Sequence, residues 1–194
     1  MPSIIQIVNR ALDRLGEDHI SDLSNNVKAA RVMGGLYESV RDAVLRSHPW
    51  GFAIKRVSIA ADATAPLAMA DGYSGRHAKP ADCLRVLEVV TAAGYNVRRY
   101  SIEEGFILSE ATGEIQVRYV AQITDSSRYD SLFCEALSCQ LALEGENSIA
   151  DLSDNERQGI KDDLKRIMMQ ARNINGQEHS PDDLETESWI NERW

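Results

Sequence analysis

Hydrophobic residues recur along this chain with two different periods, and the change of period marks its organisation. Near the N-terminus they recur every three or four positions, which predicts a helix over about 3–15 that Ser3 can cap and Gly16 can close. A longer helix is predicted over about 26–47. Its apolar positions form two stripes, so it is expected to pack against two neighbours.

The period changes to two after Pro49, a residue that disfavours helical backbone at His48 before it. From Phe52 the apolar residues alternate, which is typical of strands. Turns predicted at Glu104-Gly105 and Thr112-Gly113 separate further candidate strands. The pattern predicts a small antiparallel β-meander inserted over about 52–120, with strands after Phe52 and over about 84–90, 96–100, 106–108 and 115–120.

The helical period returns over about 127–146 and again over about 153–173, where Ser153 and Glu156 form a capping-box pattern. Beyond Gly176 no period remains, and residues 177–194 are predicted to form an extended acidic arm. The sequence therefore predicts the α+β class: a helical body of about four helices, an inserted meander and a C-terminal arm. Residues 1–176 are expected to form a single domain.

Charge narrows the classes of function. The chain has 194 residues and a net charge of −9. This balance argues against gripping nucleic acid by neutralising its phosphates, and so against a DNA-binding regulator. The negative charge is compatible with a channel wall along which DNA slides, because a negatively charged surface does not attract the negatively charged duplex. The chain shows no signal-type N-terminus and no membrane-length apolar run, so a soluble, non-secreted protein is expected.

Candidate chemistry is sparse. Three cysteines, Cys83, Cys134 and Cys139, form no CxxC pair, which indicates neither a disulfide framework nor a zinc site and fits a reducing compartment. Cys134 and Cys139 are expected to be small core residues. The four histidines are scattered, and no phosphate loop or nucleophile motif occurs. Glu103 with Glu104, or Asp82 with Glu88, could act as general acid and base. Nothing distinguishes them from a solvated face, so we predict no catalytic residue, no metal site and no cofactor.

The predicted arm carries three large apolar residues in a segment too polar to build its own core. Trp189, Ile190 and Trp194 are therefore predicted to bind a partner or a neighbouring subunit, each filling a pocket there. The alternative is that the arm folds back onto its own domain.

Four stretches, in order, carry a resemblance to a known family. They are RALDRLGEDHISDL (10–23), AARVMGGLYESVRDAVLRSHPWGFAIKR (29–56), PADCLRVLEVV (80–90) and ITDSSRYDSLFCEALSCQLAL (123–143). Together they resemble the phage tail tubular protein A family, the head-to-tail adaptors of short-tailed phages. The KPAD sequence departs from the family, which more often has an apolar residue before the proline. The signature residues are Tyr37, Arg41, His48, Pro49, Trp50, Phe52, Pro80 and Asp82.

The resemblance implies a structural virion protein rather than an enzyme. Copies would form a dodecameric ring between the portal ring and a tail nozzle of the tubular protein B type. DNA would pass through this ring during ejection without specific binding, and no membrane would be involved. The protein would be assembled in the host cytoplasm and located in the virion neck or tail. The arm would dock on the portal or a neighbouring copy, and acidic or neutral residues would line the lumen.

One alternative to this structural role is a virion-associated hydrolase that opens the cell wall during entry. It requires a cleft that holds an Asp or Glu with a raised pKa.

Overall fold

The first helix shows how local sequence starts and ends an element. The structure, a computed structural model, describes residues 3–63 and 72–178. Helix α1 runs over Ile4–Leu15, with Ser3 and Gln6 capping each other through bonds of 3.2 Å and 2.8 Å. Gly16 ends it with φ of 71°, a left-handed conformation that costs glycine nothing. Both predicted ends are confirmed.

Three further helices complete the described body. They are α2 (Lys28–Ser47), α3 (Ser131–Ile149) and α4 (Asp154–Glu178). Helix α3 begins later than predicted because the side chain of Asp130 caps it, accepting from the backbone N–H of Leu132 at 2.8 Å. Helix α4 has the predicted capping box. It runs five residues beyond its predicted end, so residues 177 and 178, assigned to the arm, are helical.

In the part of the chain that the structure describes, the β insert contains six strands in two antiparallel sheets: β1 (Ile54–Ile59), β2 (Gly75–Ala78), β3 (Cys83–Thr91), β4 (Tyr100–Glu103), β5 (Phe106–Ser109) and β6 (Ile115–Ala121). Sheet A has the order β1-β6-β3 and sheet B the order β2-β5-β4. The α+β class is confirmed, but the strands do not form one meander: in the described residues, β4 and β5 are the one pair adjacent in sequence.

Two strand assignments differ from the prediction. The strand expected over 96–100 begins at Tyr100, because Asn96 makes only an isolated bridge to Val90. Strand β2 lies in a segment predicted to be loop. The predicted turn between β4 and β5 is confirmed: Glu104 and Gly105 have φ of 50° and 82°, as a tight hairpin turn requires.

Helix α3 lies at the centre of the helical body and packs against α1, α2 and α4. Its Phe133, Leu137 and Leu141 are fully buried in a core that continues into both sheets. Cys134 and Cys139 are buried in the same helix, which confirms them as core residues. Burial raises the pKa of the Cys134 thiol to about 11, so it stays protonated at neutral pH. No described helix is long and apolar enough to cross a membrane.

Candidate functional site

The corner between α2 and β1 is built around Trp50. Pro49 ends the helix, and Trp50 then turns back onto it, so that only 3% of this residue is exposed. Its indole Nε1 donates a hydrogen bond of 3.0 Å to the carbonyl oxygen of Val44 in the last turn of α2. The side chain therefore satisfies its polar atom and fixes the angle at which the chain leaves the helix.

The rings of His48, Phe52 and Phe133 lie against Trp50, and Tyr129 packs against Phe52 and Phe133. We call these five residues the aromatic corner. The ring centroids of Trp50 and Phe133 lie 5.3 Å apart in an edge-to-face arrangement, and those of Phe52 and Phe133 lie 5.2 Å apart. Such geometry is the favourable one for aromatic pairs. The corner joins three elements: His48 follows α2, Phe52 precedes β1, and Phe133 belongs to α3.

The C-terminal end of α4 is attached to this corner through Asn175. Its side-chain Nδ2 lies 2.6 Å from the carbonyl oxygen of Pro49 and 3.2 Å from Nε2 of His48. A carbonyl only accepts and an amide nitrogen only donates, so Nε2 must accept the second bond. His48 is then neutral, with its proton on Nδ1. Burial and, secondarily, the nearby Arg172 and Arg85 lower the pKa of His48, in agreement with this state.

Tyr37 and Arg41 are buried on α2, next to the Asp42 carboxylate that links this helix to the residue after β6. The guanidinium Nε of Arg41 donates to Asp42 at 2.8 Å, and the other carboxylate oxygen of Asp42 accepts from Gln122 at 2.6 Å, just beyond β6. Burial, together with the neighbouring Tyr129, raises the pKa of Tyr37 above its usual range. Both signature residues therefore serve packing between α2, sheet A and α3.

Pro80 and Asp82 form the turn that begins β3. The N–H of Cys83 donates to the carbonyl oxygen of Pro80 at 2.9 Å. The carboxylate of Asp82 accepts from Nζ of Lys55 at 2.6 Å and from the hydroxyl of Tyr119 at 3.0 Å. It thereby links β3 to β1 and β6. The hydrogen bond from Lys55 is the main cause of the lowered pKa of Asp82.

The acid pairs considered for hydrolysis do not form a suitable site. Asp82 pairs with Gln122 and Glu88 lies opposite Arg118, so the two acids are separated by four residues of β6, which is roughly 13 Å. Paired glycosidase carboxyls lie within about 10 Å of each other. The lowered pKa of Asp82 is also the reverse of what a general acid needs. Glu103 and Glu104 are exposed at the β4–β5 turn.

Beside the aromatic corner lies a cavity of about 460 Å³ that we call the arginine groove. Arg85 of β3, Arg118 of β6 and Arg172 of α4 supply its charge. Arg118 has a carboxylate partner, Glu88 at 3.3 Å, while Arg85 donates to the carbonyl oxygen of Arg46 at 3.3 Å. The remaining lining residues are Ser47, His48, Pro49, Ile54, Asn175 and Gly176.

A second cavity, of about 190 Å³, lies on the other side of Asn175. It shares His48 and Asn175 with the groove, but apolar side chains dominate its lining: Trp50, Phe52, Leu132, Ala171 and Ile174. Sequence reasoning missed both cavities. Their residues come from elements far apart in the chain, and no local motif connects them.

The structure thus brings six signature residues together around α2 and its end, and places Pro80 and Asp82 at the start of β3. The predicted binding residues Trp189, Ile190 and Trp194 lie outside the described residues. In the described part of the chain, no group of three or more His, Cys, Asp or Glu side chains could hold a metal ion.

Neither a protein-family model nor a curated protein matches this chain.

Proposed function

We propose that this chain is a structural virion protein, a head-to-tail adaptor of a short-tailed phage. The observation that carries the proposal is the run YESVRDAVLRSHPWGFA, residues 37–53, whose Tyr, Arg and SHPW-x-FA resemble the family in spacing, followed in order by the PAD turn and the start of α3. The corner geometry supports it, because residues of this run join the helical body to the sheets and hold the end of α4.

In the proposed role, copies form a dodecameric ring that docks on the portal on one side and on the tail nozzle on the other. Contacts between copies are heterologous, and such contacts close into a ring when the rotation per copy divides the circle. The net charge of −9 supports a passage for DNA, because a basic lumen would hold the genome by counterion release.

The deciding experiment mixes the purified full chain with portal rings encoded by the same phage and weighs the products by native mass spectrometry. We expect each portal ring to gain about twelve chains, the number that a symmetry-matched closed ring requires. An unrelated protein of similar size and net charge serves as the control and should add nothing.

A portal ring that gains no mass, while circular dichroism shows the added chain to be folded, would contradict the adaptor role. A cell-wall turbidity assay on the same preparation tests the hydrolase alternative. Clearing of the wall suspension by this chain would replace a structural role with an enzymatic one.

A further inference from the structure

The arginine groove concentrates positive charge on an acidic protein. In the described part of the chain Arg85 and Arg172 have no carboxylate partner, and Arg118 shares one glutamate. Arg118 also lines a neighbouring cavity of about 310 Å³ with Arg56, which lies directly opposite it across β1 and β6. Like charges so arranged repel. Glu88 also lines this neighbouring cavity, but its single carboxylate does not balance all the arginines of the groove and its extension. The groove and its extension therefore suit an elongated ligand with several carboxylates.

One segment of this chain has that chemistry and begins beside the groove. Residues 179–194 lie outside the described part and hold five acidic residues against one arginine. They follow α4, whose Gly176 lines the groove and whose last residue is Glu178. Four extended residues from Glu178 to Asp182 span up to roughly 14 Å. Asp182 and Asp183 are thus within reach of the groove, because Gly176, one of its lining residues, is only two residues before the end of α4.

We propose that in the free protein the arginine groove binds the acidic segment 179–194 of the same chain, with Asp182 and Asp183 paired to Arg85 and Arg172. Arginine can pair bidentately with a carboxylate, which gives the contact a defined geometry. The adjoining apolar cavity takes a large side chain from Trp189-Ile190 in the same segment. This inference goes beyond the adaptor role and does not rest on it.

The short connection favours the same chain over another copy or over DNA. A segment tethered a few residues from its site has an effective concentration in the millimolar range, far above that of a second copy in dilute solution. DNA phosphates could also pair with arginine, but the net charge of −9 repels a duplex from the rest of the surface.

The test is hydrogen exchange of the full chain at low salt, read by mass spectrometry on peptides from 179–194. In the wild type we expect exchange on the order of tenfold slower than in the Arg85→Ala/Arg172→Ala double variant. The matched control is Arg31→Ala/Arg98→Ala, which removes the same charge from exposed positions that line neither cavity. It should retain the wild-type protection.

Two measurements separate pairing from an indirect effect of lost arginines. A charge exchange, Arg85→Glu/Arg172→Glu combined with Asp182→Arg/Asp183→Arg, should restore slow exchange. Raising the salt concentration to about 1 M should abolish most of the protection in the wild type, because the screening length falls to about 3 Å. The salt series needs no variant, so it remains decisive if an arginine variant fails to fold.

Three outcomes would overturn the proposal. The first is equally fast exchange of the segment in the wild type and the double variant. The second is protection that rises with protein concentration, which would assign the groove to the segment of a neighbouring copy. The third is an unprotected segment together with duplex DNA retained by the wild type and lost by the double variant. None of these bears on portal binding, so the two proposals fail separately.

Discussion

The side-chain amide of Asn175, near the end of α4, donates a hydrogen bond of 2.6 Å to the carbonyl oxygen of Pro49, at the start of the β insert. These residues are 126 positions apart in the chain, and this contact ties the C-terminal part of α4 to the residue that follows the end of α2 and its cap. Because Pro49 lies beyond the end of α2, its carbonyl oxygen has no partner in that helix and can accept the hydrogen bond from Asn175. The same amide holds His48 neutral.

Replacing Asn175 with alanine should loosen the end of α4. The variant loses the bonds to Pro49 and His48, which together contribute about 1–2 kcal/mol. Hydrogen exchange over residues 172–178 should accelerate by roughly tenfold, since a tenfold change corresponds to about 1.4 kcal/mol. The control is Asn173→Ala at an exposed position of the same helix, where the gain in helix propensity is equal. Equal exchange in both variants would contradict the proposed tether.

Trp50 should be the most sensitive residue of the aromatic corner. Trp50→Ala removes a buried ring and should lower the free energy of unfolding by about 3–5 kcal/mol. Trp50→Phe keeps a ring but loses the bond to Val44. We expect this variant to fold, with a free energy of unfolding lower by about 1–2 kcal/mol. Urea unfolding measures both. Tyr95→Ala, which removes a ring that is 74% exposed, should change stability by less than about 0.5 kcal/mol.

His48 should make stability depend on pH near neutrality. Its folded-state pKa lies below the unfolded value of about 6.5, so the unfolded chain binds the extra proton first. The stabilising contribution is complete above pH 6.5 and is lost as pH falls from there through the folded pKa. Melting curves between pH 7.5 and 5.5 should show this loss for the wild type and a smaller one for His48→Gln. His19→Gln, which replaces an exposed imidazole, should lose stability with falling pH as the wild type does. If His48→Gln loses as much stability as the wild type, His48 is not the group responsible.

The sequence predicted the elements whose signals are local. Ser3 and Gly16 bound α1, and Ser153 with Glu156 starts α4, because caps act within one helical turn. The positions of strands in sheets were not predictable in this way. Strand β6 pairs with β1 some 60 residues earlier, and only the folded chain brings them together.

Strand β2 and the arginine groove were missed for the same physical reason. The four residues of β2 have no alternating pattern, and the strand is held by distant groups: β5 pairs with it, and the carbonyl oxygen of Gly113 lies 2.8 Å from Nε2 of its buried His77. Likewise Arg85, Arg118 and Arg172 stand on three different elements. By contrast, His48-Pro49 already marked a helix end in the sequence, and the structure places the aromatic corner at that end.

Gly75 should tolerate no side chain, although its backbone conformation is open to other residues. A Cβ there would lie 1.9 Å from the carbonyl oxygen of Ala111, and backbone cannot yield as a flexible side chain would. Gly75→Ala should therefore destabilise the fold by at least about 1–3 kcal/mol. Gly35→Ala in α2 meets nothing within 4 Å and should instead stabilise by about 1 kcal/mol. Urea unfolding of both variants checks the opposite signs.

The apolar residues of the C-terminal segment provide a test that leaves every charge in place. If the proposed docking on the portal uses Trp189 and Trp194, the Trp189→Ala/Trp194→Ala chain should lose at least tenfold in portal affinity, since buried tryptophans typically contribute more than 2 kcal/mol. Its melting temperature should shift by less than about 4 °C, because the helical body and sheets are unchanged. Native mass spectrometry with portal rings measures the first, and calorimetry the second. If this variant occupies the portal as fully as the wild type, the two tryptophans are not part of the docking surface. The adaptor role itself is tested by portal binding of the wild-type chain.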